Sequence, residues 1–177
     1  MTAAVDGLAP GDVLAVRTGG VAASLIRFGA AIEGEPDLDN HVAVVHHVTA
    51  GVTWCIEGRP GGVGWADAEK YLASRWTVTN ALQPKTPVQR TQVTAAMVLA
   101  LGTPYDWAAI ADDALTALRL PELWGERWDS QVPAHVVCSS LAAWGYGKAG
   151  LARPAAHDGP RTTPADWTQF DLMHAWA

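Results

Sequence analysis

Cysteine is scarce in this chain, with Cys55 and Cys138 the only two. That excludes a disulfide scaffold, which needs several pairs. The two could pair if they met in space, but in a reducing compartment two free thiols are the expectation. Lysine is scarcer than arginine: Lys70, Lys85 and Lys148 are the only lysines, there is no basic stripe, and the net charge is −6. No nucleic acid is expected as a partner, because such binding rests on neutralising phosphates. No apolar run approaches the roughly 18 to 20 residues that cross a bilayer, so no transmembrane segment is expected. The first residues, Met1-Thr2-Ala3-Ala4-Val5-Asp6-Gly7, lack the basic and apolar regions of a secretory signal. Cytoplasmic synthesis is the expectation, with delivery by a virion or a non-Sec route left open.

What is present is the material of a folded domain. With 177 residues, 49% hydrophobic and 17% charged, the chain can bury a sizeable core and fits one domain over 1–177. Nine tryptophans stand against two phenylalanines. They either fill the core or line a groove for sugar, lipid or peptide, since tryptophan buries a large area and keeps one donor.

Turn and periodicity signals divide the chain. Pro10-Gly11-Asp12 is a turn before a buried strand, Val13 to Val16. Val21 to Ile32 has helical spacing, and residues 34–40 read as a polar loop. His41 to Val48 and Val52 to Glu57 are strands joined as a hairpin by Thr49-Ala50-Gly51. Gly58 to Gly64 is glycine-rich, lacks the phosphate-loop pattern and reads as a loop. A short helix over Asp67 to Ala73, a strand over Trp76 to Leu82 and helices over Pro87 to Leu101 and Asp106 to Leu118 follow. Residues 121–133 are irregular, 150–164 form a loop and 166–176 a terminal helix or turn. Strands followed mostly by helices make an α+β pattern.

Cys138 is the most informative residue. In Val136-Val137-Cys138-Ser139-Ser140-Leu141-Ala142-Ala143-Trp144 an apolar run becomes a helix, with Val137, Leu141, Trp144 and Gly145 on one face. The thiol would then lie in the first turn, where free amides and the helix dipole favour a thiolate. His41 is the best candidate base. It shares a strand face with Ala43, Val45 and His47, while Cys55 and Glu57 share a face of the next strand. Placing His47 opposite Val52 puts His41 near Gly58 and diagonal to Glu57. The carboxylate would hold one ring nitrogen and leave the other for Cys138, as nucleophile, base and orienting acid.

Five segments, in order, resemble a known family: Gly11-Asp12-Val13-Leu14; Asn40-His41-Val42-Ala43-Val44-Val45; Cys55-Ile56-Glu57 with Gly62-Val63; Gly102-Thr103-Pro104-Tyr105-Asp106; and Val137-Cys138-Ser139-Ser140-Leu141. Together they resemble the NlpC-type papain-like superfamily, and within it the circularly permuted, YiiX-like branch, because the histidine precedes the cysteine by 97 positions. The resemblance covers roughly residues 8 to 145. It implies a papain-like fold, a small antiparallel sheet or half-barrel packed against helices. It also implies cleavage of amide or ester bonds through an acyl-enzyme, with no cofactor. Cys138 would be the nucleophile, His41 the general base and then acid, Glu57 the residue orienting the histidine, and Tyr105 a tyrosine near the site. The substrates implied are cell-wall peptides or acyl-lipids. Lecithin retinol acyltransferase-like relatives carry an asparagine-cysteine-glutamate-histidine run and a tryptophan after the histidine, both missing here. Ser140 stands where YiiX-like members often have glutamate, and many of those are secreted.

Other readings stay open beside this one. Cys138 would serve equally as a small buried core residue, and Cys55 reads as packing. Glu57 would also suit an exposed strand position, and His46 and His47 read as strand ends near the turn. His135 is the rival base, and Ser139 or Ser140 a rival nucleophile. A metal site from Cys55, Cys138, His41 and His135 has zinc-type ligands but no close cysteine pair. A catalytically silent module binding glycan, lipid or a partner chain on the same scaffold is the alternative to an enzyme. The oligomeric state is unknown from the sequence.

Overall fold

Val13, Leu14, Ala15 and Val16 form strand β1, and all four are buried. A strand apolar on both faces needs a neighbour on each edge and a layer on each face. In the computed structural model, which describes residues 8–20, 23, 24, 26, 39–72, 76–79, 85–108, 133, 134, 136–151 and 162–167, β1 has both. Strand β2 (His41–Thr49), β3 (Val52–Arg59), β4 (Gly62–Asp67) and β5 (Trp76–Thr79) join it in one five-stranded sheet of order β4-β3-β2-β1-β5. Every pairing in it is antiparallel. The helices are α1 (Glu69–Leu72), α2 (Pro87–Leu99) and α3 (Cys138–Lys148). The fold is therefore α+β, a small antiparallel sheet with helices.

The alternation of strand side chains divides the core into two layers. On one face Val13, Val42, Val44 and Ile56 pack with Val93 and Met97 of α2 and Leu141 and Trp144 of α3. On the other, Leu14, Val16, Ala43, Val45 and Cys55 pack with Ala68 and Tyr71. Residues 138 to 146 of α3 are all buried, which makes it the central helix rather than a surface one. Thr86 and Gln89 close a reciprocal capping box at the start of α2, with Pro87 in its first turn.

A buried carboxylate ties β1 to the helices. Asp12 is fully buried and accepts from Arg90 Nη1 at 2.7 Å and from the Ala9 N–H at 2.7 Å, with Lys85 Nζ 3.6 Å away. The Tyr146 hydroxyl of α3 donates to the Gly11 carbonyl at 2.9 Å. The turn before β1 is thus where α2 and α3 both attach.

Two expectations are corrected. Residues 58–64 are not a loop. β3 runs through Gly58 to Arg59, turns at Pro60-Gly61 and returns as β4, with Gly58 paired to Val63 and Arg59 to Gly62. Gly62 is crowded by a neighbour: a β-carbon on it would stand 2.9 Å from the Thr103 carbonyl oxygen. The assumed register is also wrong. Thr49 pairs with Val52 and His47 with Trp54 across a two-residue turn in which Ala50 and Gly51 both have positive φ, the hairpin geometry that matches strand twist. A bulge between Val45 and His47 then shifts the pairing, so that Val45 meets Cys55 and Val44 meets Ile56. The extra residue turns His47 off the face that His41 and Ala43 share.

The remaining elements differ in their bounds. The short helix begins at Glu69 because β4 extends to Asp67, whose Oδ1 accepts the Glu69 N–H at 2.8 Å. The helix from Pro87 ends at Leu99, ahead of Gly102 with its φ of +82°. Most of the helix read over 21–32, the strand end at 80–82, most of 106–118, 121–132, 152–161, 168–176 and His135 lie outside the described residues.

Candidate active site

Glu57, in β3, is only 2% exposed. A carboxylate so buried must be met by donors, or it takes up a proton. His41 Nε2 lies 2.8 Å from Oε2, Lys70 Nζ donates to Oε1 at 2.7 Å, and the Tyr71 hydroxyl donates to Oε2. Arg59 Nη1 is farther, 3.9 Å from Oε1. Burial by itself would raise the pKa of Glu57. The hydrogen bond and charge of His41, followed by the hydrogen bonds of Lys70 and Tyr71, outweigh it and hold the carboxyl down at about 2.

His41 begins β2, level with Val16 of β1. Burial opposes a charged imidazolium there. The negative charge and hydrogen bond of the Cys138 side chain, and after them those of Glu57, outweigh it and raise its pKa to about 9. The ring thus interacts with both the carboxylate and the sulfur. With Nε2–H given to Glu57, Nδ1 is the nitrogen left for the thiol.

Cys138 reaches His41 because of where α3 starts and what it lies on. Val137 is extended and caps α3 without a side-chain oxygen, so Cys138 is its first helical residue. The turn is held instead by Ser140, whose hydroxyl accepts the Val137 N–H at 3.1 Å. A β-carbon on Gly58 would stand 3.3 Å from both N and Cα of Cys138, so the helix start is seated on bare β3 backbone. Counting on from the Val44–Ile56 pair, Glu57 falls level with Ala43 and shares its face with His41.

Tyr105 forms a one-residue parallel bridge with Val136, next to the start of α3. Its hydroxyl pKa is raised, first by burial and then by the charges of Cys138 and Asp106. His41, Glu57, Gly58 and Tyr105 line a cleft of about 430 Å³, together with Arg59, Lys70, Trp107 and the 18–20 segment. Asn40 fastens that segment: its Oδ1 accepts the Thr18 N–H at 2.7 Å and its Nδ2 donates to the Thr18 carbonyl at 3.0 Å. Cys138 itself is 2% exposed and is not among the residues that line the cleft, although Gly58, which is, lies against its backbone.

The other candidates fall elsewhere. The Ser139 hydroxyl donates to the Thr162 carbonyl, and that of Ser140 is used in the helix cap, so both serine oxygens are engaged with backbone. Cys55 is fully buried, and burial pushes its thiol up to about 12, as suits a packing residue. His46 and His47 face each other, with their Nδ1 atoms 2.9 Å apart, and both rings meet Trp65 edge-on. Both cysteines are free. Among the described residues no three His, Cys, Asp or Glu side chains converge as a metal site would require, and no helix is long and apolar enough to cross a membrane.

Sequence reasoning gave no site role to Lys70, Tyr71, Gly58 or Asn40. Only Lys70 had a signal, as one of three lysines in the chain. The other three are placed by packing alone. No protein-family model matches the chain, and no curated protein matches it.

Proposed function

We propose that this chain is a thiol hydrolase of the permuted NlpC-type papain-like kind, cleaving amide or ester bonds in cell-wall peptides or acyl-lipids. One observation carries the reading: the His41 ring is hydrogen-bonded to Glu57 through Nε2 and also interacts with the Cys138 side chain. The order of the elements, β2 with its histidine before α3 with its cysteine, agrees with the permuted branch.

In the first half-reaction the proton of Cys138 already rests on Nδ1 of His41, whose pKa of about 9 keeps the ring protonated at neutral pH, and the thiolate sulfur bonds to the substrate carbonyl carbon as the carbonyl π electrons move onto oxygen. The oxyanion that forms is met by the Cys138 N–H at the start of α3, a type of contact worth about 3 kcal/mol in comparable enzymes. His41 then gives its proton to the departing nitrogen or oxygen, the C–N or C–O bond breaks, and a thioester remains. In the second half-reaction a water loses a proton to His41 and adds to the thioester. The C–S bond then breaks, the acid leaves, and the thiolate is left beside the protonated His41. Glu57 stays ionised throughout and keeps the ring oriented. An alcohol or amine in place of that water would make the same site an acyltransferase.

The test is turnover of peptidoglycan stem peptides and activated acyl esters by the native chain, Cys138→Ala and His41→Ala. Loss of turnover in both variants is expected. Retained turnover in either removes that residue from the mechanism. Cys138 should also react with iodoacetamide at neutral pH. Alkylation only above about pH 8 would speak against an activated thiolate.

A second reading, a catalytically silent module that binds glycan, lipid or a partner chain, draws on the 2% exposure of Cys138. It expects ligand binding unchanged by Cys138→Ser and no fast reaction of the thiol with a covalent probe.

A further inference from the structure

The orienting carboxylate is gripped, beside the imidazole, by two consecutive residues of α1. Lys70 Nζ donates to Oε1 at 2.7 Å and the Tyr71 hydroxyl donates to Oε2, the oxygen that also receives His41. The two donors are themselves packed together, with Lys70 Nζ 4.6 Å from the centre of the Tyr71 ring. The same ring leans on the imidazole, with centroids 5.6 Å apart at 46°. α1 is in turn fixed to the strand that carries Glu57: the Ala68 N–H donates to the Thr53 carbonyl at 2.8 Å, and the Tyr71 N–H to Ala68 at 2.9 Å. Sheet, helix and carboxylate thus form one closed circuit around His41.

We infer that Lys70 and Tyr71 are positioning residues, a clamp that holds the Glu57 carboxylate in the one rotamer whose Oε2 meets His41 Nε2. A glutamate has three side-chain torsions, and a single bond to the imidazole leaves the carboxylate free to swing about it. Donors on both oxygens remove that freedom. They also stabilise the ionised form, so that the carboxylate accepts the Nε2 hydrogen bond without taking its proton. Tyr71 acts on the ring as well, limiting its tilt. Neither residue touches a substrate in this role. Its consequence for turnover rests on the thiol-hydrolase reading, whereas the clamp itself is a statement about His41 and Glu57.

The experiment reads the His41 Nε2 proton directly. A proton shared between an imidazole and a carboxylate gives a far-downfield NMR resonance, assigned here by its disappearance in Glu57→Gln. In the full chain, Tyr71→Phe and Lys70→Met should each broaden or lose that resonance, with exchange of the proton about tenfold faster, the loss expected from removing one charge-assisted hydrogen bond. Lys70→Arg, which can still donate, should restore it. An unchanged resonance in both Tyr71→Phe and Lys70→Met, with the fold verified by thermal melting, overturns the clamp. If Tyr71→Phe fails to fold, Lys70→Met decides, because that side chain is 41% exposed. Should the resonance respond as expected while Cys138→Ala retains full turnover, the clamp stands and the hydrolase reading falls.

Discussion

Gly58 and Cys138 are in backbone contact: a β-carbon on the glycine would lie 3.3 Å from the cysteine's N and Cα. That approach seats the start of α3 on β3 and brings the thiol to His41. Backbone on both sides cannot give way as a flexible side chain would. Gly58→Ala should therefore cost about 1 to 3 kcal/mol of stability, the range for overpacking a close contact. It should slow alkylation of Cys138 by more than it lowers the melting temperature would explain. Denaturant unfolding and peptide-mapped iodoacetamide labelling check the two parts.

The His41–Glu57 pair sets a pH window for stability. His41 is raised from 6.5 to about 9, so its contribution is complete below pH 6.5 and fades as pH climbs through 9. Glu57 is lowered from 4.5 to about 2, so its contribution is complete above pH 4.5 and fades as pH drops through 2. The native chain should exceed His41→Ala in stability most clearly between about pH 4.5 and 6.5. The margin should narrow on both sides in a series of thermal melts. A margin that does not vary from pH 3 to pH 10 would contradict the pairing.

Because the Cys138 charge is the leading influence raising the imidazole against burial, Cys138→Ala should bring the His41 titration below about 9. An NMR titration of the ring protons in the two proteins measures this. The same variant should leave Glu57 ionised at neutral pH, since Lys70 and Tyr71 still donate to it.

Ser139 follows Cys138 in the chain, and its hydroxyl donates to the Thr162 carbonyl. Ser139→Ala leaves a buried carbonyl without that donor and should cost about 1 to 3 kcal/mol in denaturant unfolding. Alkylation of Cys138 should proceed at close to the native rate. A large loss of thiol reactivity would place the hydroxyl in the chemistry.

At the other end of the core, Asp12→Ala removes the carboxylate that faces both Arg90 and Lys85. The Lys85 side chain is fully buried, so stripping its counter-charge should cost about 3 to 5 kcal/mol in urea unfolding. Retaining the native midpoint would show that the pair is not an anchor.

Local chemistry wrote much of this structure into the sequence. The apolar run Val13–Val16 specifies a strand buried on both faces, and Thr49-Ala50-Gly51 between two β-rich segments specifies a hairpin, whose turn the structure narrows to Ala50-Gly51. The change of period at Cys138 specifies the helix start and so the setting of the sulfur. Those signals lie within one element, where side-chain spacing and backbone freedom act over a few residues. The bulge between Val45 and His47 left no such trace. The pairing of β2 with β3 is chosen by what their faces bury, and an extra residue there changes which side chains share a face. Gly58 misled for the same reason, since a glycine-rich stretch looks like a loop until α3 is laid across it.

The first strand, the β2–β3 hairpin, the starts of α2 and α3, and the identities of Cys138, His41 and Glu57 as candidates came from the sequence by itself. The tertiary structure alone decided that β3 continues through Gly58, that Lys70 and Tyr71 close on the same carboxylate, and that imidazole and sulfur meet. The physical reason is that each of these is a contact between elements. Burial supplies its energy and the packing of distant segments supplies its geometry, neither of which a stretch of chain carries before it folds.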